Sequence, residues 1–120
     1  MEALIPQEWL EPVLRILRQG IFGREIQVPT RVQNDWDAGT LGTAFLWDVR
    51  EPLICALSAP GVTGVLKPDQ PEPGVTYAFW FFFKVSDRLR KFYGKICLHH
   101  DKGTIKLLSA HLPDRGEEHL

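Results

Sequence analysis

The stretch "VTYAFWFFFKVS", residues 75–86, limits the possible folds of this chain more than any other. In an extended chain, alternation puts Val75, Tyr77, Phe79, Phe81, Phe83 and Val85 on one side and Ala78, Trp80 and Phe82 on the other. Both sides are apolar, so the strand is expected to be a central one, with neighbours on each edge. Its apolar run is far too short to cross a bilayer as a helix, which takes about 20 residues. In a chain of 120 residues, 44% of them hydrophobic, one core built on that strand is enough, and residues 1–120 read as a single domain.

The segments around it supply the other elements. "KFYGKICLHH" is the next strand, reached through "DRLR", and it turns through "DKG" into a last strand, "TIKLLSAHL". Gly103 supplies the left-handed residue that closes such a turn. Near the N-terminus Leu10, Val13, Leu14 and Leu17 recur at helical spacing, which predicts an amphipathic helix ending near Gly20 and beginning close to Pro12. "REIQVPTRVQ" alternates as an edge strand broken by Pro29, "QNDWDAGT" reads as a turn, and Ala44 to Val49 as a strand, while "PLICALS" fits a buried strand or a helical turn. Between Ala59 and Gly74 lie four prolines and three glycines, so residues 59–74 are expected to form a Pro/Gly-rich connecting loop. The sum is an α+β domain with an N-terminal helix packed on a twisted antiparallel sheet of four to five strands.

Charge and motifs remove several classes of function. Lys and Arg number 14 against 15 Asp and Glu, a formal net charge of -1, so no global positive field draws in nucleic acid. Cys55 and Cys97 lie far apart with no Cys/His ligand spacing, which argues against a zinc site, and no metal or other cofactor is expected. Phosphate-binding glycine loops, HExxH, GxSxG and EF-hand patterns are absent. The N-terminal "MEALIPQEWLEPVLRIL" lacks the basic start and apolar run of a secretory signal, so a cytoplasmic protein with reduced thiols and no membrane partner is expected.

The closing hairpin carries the chemistry. With Asp101, Lys102 and Gly103 as its loop, counting outward pairs His100 with Thr104, His99 with Ile105, Cys97 with Leu107, Lys95 with Ser109 and Tyr93 with His111. Tyr93, Lys95, Ser109 and His111 then form one polar quartet at the hairpin's open end, on the face opposite Phe92, Ile96 and Leu98. Such a set can cleave a phosphodiester without a metal: histidine moves a proton, lysine neutralises charge building on phosphorus, and a hydroxyl orients the attacking 2'-hydroxyl. It reads equally as a cross-strand Tyr–His pair beside solvated positions. His99 and His100 point to opposite faces and cannot share a metal. Arg88, Arg90, Lys91, Lys95 and Lys106 gather positive charge near the quartet, whereas Asp35, Asp37 and Asp48 suit turns, and Trp36, Trp47 and Trp80 read as core.

A long aromatic strand, then "YGKICL", a tight turn and a strand ending in "LLSAH" resembles the small metal-independent ribonucleases that include barnase, the colicin-type tRNases, EndoU and RelE-like toxins. The likeness covers Val75 to His111. It implies helices ahead of an antiparallel sheet and catalytic residues on the sheet's open face. Position by position it gives proton transfer to His111, phosphate contact to Lys95 and support to Tyr93 and Ser109, with Arg88, Arg90 and Arg115 as further phosphate ligands. The chain departs from the group in its slight acidity and in offering no identifiable catalytic residue near its N-terminus. The implied function is metal-independent cleavage of RNA by a toxin-type enzyme. The alternative is a non-catalytic protein-binding domain, an antitoxin, immunity or other partner-binding protein, in which the aromatic sheet and the proline-rich loop build the interaction surface; an apolar patch of exposed Trp36, Trp47 or Trp80 would favour it. The Pro29 edge strand and the hairpin each allow a dimer, and the oligomeric state is not fixed by the sequence.

Overall fold

The structure is a computed structural model that describes residues 1–71, 73–113 and 120. In chain order its elements are β1 (Ala3–Leu4), α1 (Gln7–Gln19), β2 (Ile26–Gln27), α2 (Thr30–Gly39), α3 (Arg50–Ser58), β3 (Thr63–Leu66), β4 (Val75–Val85), β5 (Arg88–His99) and β6 (Thr104–His111), with tight helical turns over Leu46–Val49 and His100–Lys102. The sheet has six strands in the order β1-β3-β4-β5-β6-β2. Four of its pairings are antiparallel, and β2 runs parallel to β6. This is an α+β fold, with a mixed sheet of six strands where an antiparallel one of four to five was expected. Among the described residues no helix is long and apolar enough to cross a membrane.

As the alternation requires, β4 is flanked on both edges, by β3 and β5. Phe79, Phe81, Phe92, Ile96, Leu98, Ile105 and Leu107 form one core with Trp9, Leu10, Val13 and Leu17 of α1, Val32 and Trp36 of α2, and Leu53 and Leu57 of α3. The helices therefore share one face of the sheet, and Ala78, Trp80, Phe82, Lys91, Tyr93 and Lys95 stand on the other, which we call the outer face. Gly94 sits opposite Phe79 on the helix face, where an added Cβ would meet Phe79 and Phe81 ring carbons at 3.0 Å. Only a residue without a side chain lets both rings approach β5 this closely.

Several local expectations fail, each for a physical reason. The residues read as an edge strand and a turn are mostly helix α2, because the Pro29 carbonyl accepts from Val32 and Gln33 N–H and the turns so begun bury Val32 and Trp36. That burial outweighs the weak helix propensity of Asn34, Asp35, Asp37 and Gly39. Only Ile26–Gln27 remain strand. Ala44 to Val49 is not a strand: Asp48 N–H donates to the Phe45 carbonyl at 3.1 Å and the Asp48 carboxylate accepts Phe45 N–H at 2.8 Å, closing a tight turn that leads into α3. Helix α1 begins at Gln7 and runs through Pro12, which cannot donate to the Glu8 carbonyl; burial of Trp9, Leu10, Val13, Ile16 and Leu17 offsets that loss. The connection between β4 and β5 is only Ser86 and Asp87, both left-handed with φ of 49° and 66°, the geometry of a two-residue hairpin turn; "DRLR" is therefore largely strand. Finally, the Pro/Gly segment 59–74 contains β3, which pairs with both β1 and β4.

Replacing Gly94 by valine is expected to force Phe79 and Phe81 aside and cost about 1–3 kcal/mol. Urea unfolding checks this: the midpoint should fall with an unchanged slope.

Candidate functional site

The hairpin of β5 and β6 differs from its expected register at one end and matches it at the other. His99 pairs with Thr104, Leu98 with Ile105, Cys97 with Lys106 and Ile96 with Leu107, one residue off the count from a three-residue loop. The loop instead spans His100 to Gly103, with Gly103 left-handed at φ 62°. Between Ile96 and Lys95 the pairing shifts, so that Lys95 faces Ser109, Gly94 faces Ala110 and Tyr93 faces His111. Leu108 is the extra residue of a β-bulge, and its insertion restores the expected pairs.

Arg31 of α2 holds that bulge in place. Its guanidinium donates to the Leu108 carbonyl at 2.9 Å and to the Asp35 carboxylate at 3.2 Å. A bulged strand leaves carbonyls without ladder partners, and a forked donor can reach one while pairing with an acid of its own helix.

The quartet comes together on the outer face. Tyr93 and His111 stack with ring centroids 5.3 Å apart and planes 20° from parallel. His111 Nδ1 lies 2.7 Å from the Leu112 carbonyl oxygen. A carbonyl can only accept, so Nδ1 is the donor in this contact and Nε2 is the ring nitrogen that the Leu112 carbonyl does not engage. Tyr93 is 8% exposed and Ser109 4%, whereas His111 and Lys95 are half-buried. His111 also borders a depression of about 370 Å³ lined by Arg31, Asp35, Ala38, Gly39 and Leu112.

The remaining sequence candidates fall in different places. Lys91 shares the outer face with Tyr93, whereas Arg90 faces Phe83 and Arg88 faces Val85, so both arginines start from the opposite face. Arg115 lies outside the described residues. His99 and His100 flank the turn away from His111, and among the described residues no group of three or more His, Cys, Asp or Glu side chains is placed to share a metal ion. Trp36 is core, but Trp80 is half-buried, and Trp47 is 59% exposed and stacked on Phe45, itself 65% exposed, at 4.8 Å.

Arg31 was not singled out from sequence. Its signal was its spacing to Asp35, an i,i+4 ion pair, visible only once "TRVQNDWDAG" is taken as a helix.

The outer face has a one-sided charge. Strands β3 to β6 contain no aspartate or glutamate, while Lys84, Lys91, Lys95 and Lys106, together with Lys67 just beyond β3, fall on this face by their pairing. A chain of near-zero net charge thus keeps a locally cationic sheet surface, because the carboxylates among the described residues lie on helices and connections.

Comparison with protein-family models, with curated proteins and with solved structures gives no match for this chain.

Arg31→Ala is expected to release the bulge, lowering stability by about 1 kcal/mol given the partial exposure of the pair. Amide hydrogen exchange at Ser109 and Ala110 should accelerate more than at Ile105 and Leu107. Arg31→Lys, which keeps the charge but not the fork, should restore protection only in part.

Proposed function

We propose that the outer face of this sheet cleaves RNA phosphodiesters by acid–base chemistry that needs no metal, as in a small toxin-type ribonuclease. The observation that supports it is a lysine-bearing, carboxylate-free strand surface ending at a histidine whose Nδ1 donates to a backbone carbonyl. In this reading His111 Nε2 takes the proton of a 2'-hydroxyl as its oxygen attacks the adjacent phosphorus. The bond from phosphorus to the 5' oxygen breaks, that oxygen takes a proton from water, the resulting hydroxide takes the proton held on His111 Nε2, and a 2',3'-cyclic phosphate remains. Lys95 offsets the charge that builds on the phosphorane, and Arg31, which lines the same depression as His111, is a further phosphate contact. Tyr93 fixes the imidazole plane by stacking, with Ser109 packed beside Lys95. Cys55 and Cys97 are both free thiols, in keeping with a cytoplasmic setting.

RNA incubated with the protein in EDTA should yield cyclic-phosphate ends. His111→Ala should slow this by about 10²- to 10⁴-fold, the usual worth of a positioned general base. An unchanged rate in that variant sinks the assignment.

A second reading rests on a different observation, the exposed Phe45–Trp47 stack with exposed Leu41 nearby in sequence. Exposed aromatic anchors of this kind are the centres of protein contacts, and here they would serve a non-catalytic antitoxin, immunity or other partner-binding domain. The two readings separate cleanly. Phe45→Ser with Trp47→Ser should leave RNA cleavage unaltered if the outer face is the active surface, and should abolish capture of a cognate protein if the stack is the functional one.

A further inference from the structure

Away from His111 the outer face continues as a row of rings and cations on β4 and β5. Trp80 meets Tyr93 edge-on with centroids 5.8 Å apart, Lys91 Nζ stands 4.3 Å from the centre of the Trp80 ring, and Phe82, directly opposite Lys91, is 52% exposed. Beyond them Lys84 pairs with Leu89, and Asp87 in the hairpin turn is the single acid between Lys84 and Lys91.

The geometry points to a base-stacking subsite for single-stranded RNA between Trp80 and Phe82. Alternate residues of a strand stand about 6.8 Å apart on one face, close to twice the rise of about 3.4 Å between stacked bases. One base therefore fits between the two rings. In the unliganded protein the Lys91 ammonium covers the Trp80 ring through a cation–π contact. A base entering there displaces it, and the freed ammonium lies beside the phosphate that the base brings with it. The occupant is nucleic acid rather than an apolar peptide because Lys84 and Lys91 frame the rings on a face whose strands carry no carboxylate. It is single-stranded because a base paired in an A-form duplex cannot leave its stack to enter the gap. The subsite deepens the outer-face reading above and rests on it for its ligand: Tyr93, edge-on to Trp80, also stacks on His111, so the rings form a track from the stacked base to the proposed reacting phosphate.

Binding is separated from cleavage by measuring it on the His111→Ala protein in EDTA, with a fluorescein-labelled, unstructured RNA strand of mixed sequence and the same strand annealed to its complement. The single strand should bind and the duplex should bind markedly less. Phe82→Ala should weaken single-strand binding by at least about fivefold, the loss of one base–aromatic stack, with Phe82→Tyr restoring it. Because Phe82 is half exposed, both variants should fold, with parental circular dichroism and melting. Lys91→Gln should reduce the slope of log affinity against log salt by about 0.7, one phosphate contact on a single strand, while Phe82→Ala leaves that slope in place. Equal affinity for duplex, or a Phe82→Ala protein indistinguishable from its parent, overturns the subsite. Phe82-dependent binding by a protein that cleaves nothing as wild type upholds the subsite and removes the catalytic assignment alone.

Discussion

The indole of Trp36 is the contact on which the rest of the structure turns. From the middle of α2 it packs on Phe83 at 4.9 Å, Phe92 at 5.3 Å and Phe81 at 6.3 Å between ring centroids, joining the two central strands to a helix. Its Nε1–H donates to the Phe45 carbonyl at 2.9 Å. A buried indole must satisfy that donor, and doing so pulls in the irregular connection between α2 and α3. Arg50, at the start of α3, then donates to the carbonyls of Leu17 and Gly20 and closes the exposed end of α1. One aromatic cluster thus organises α2 and α3, which have little regular sequence pattern of their own, beside the plainly amphipathic α1.

How much of this was legible in the sequence follows from which signals are local. The aromatic strand declared itself because period-two alternation with two apolar faces has one economical outcome. The last two strands were equally plain, and the pairing of Tyr93 with His111 and Lys95 with Ser109 came out as counted. It did so by compensation: the loop at His100 to Gly103 is one residue longer than assumed, and the bulge at Leu108 adds one residue on the other strand. Helix α2 was illegible because Asn, Asp and Gly favour turns over short range, and only the burial of Val32 and Trp36, a long-range fact, overrides them. The stack of Phe45 on Trp47 misled in the opposite sense. Alternating apolar residues looked like a strand, yet two of the three point outward from a tight turn.

The candidate site divides along the same line. Its strand residues could be grouped from sequence because strand geometry fixes which side chains share a face. Arg31 and the depression it shares with His111 could not, since they depend on how α2 lies against the end of β6. The charge segregation was present in the sequence throughout but hidden by the net figure. Summed over 120 residues the charge is -1; read over strands β3 to β6 alone, every charged residue is a lysine or arginine. For recognition of a polyanion the second figure matters, because screening confines each surface's field to about 10 Å at ordinary salt.

The bulge at Leu108 has a bearing on how this hairpin can vary. Alignment of His111 with Tyr93 is the difference between two lengths, that of the tip and that of the β6 backbone after Leu107, and neither alone determines it. A three-residue tip with no extra residue at Leu108 would still set Tyr93 opposite His111, but it would turn Lys106 toward the core and Ile105 and Leu107 out of it. Sequences related to this one should therefore hold to both lengths at once, and the Arg31 that grips the Leu108 carbonyl should come and go with the bulge.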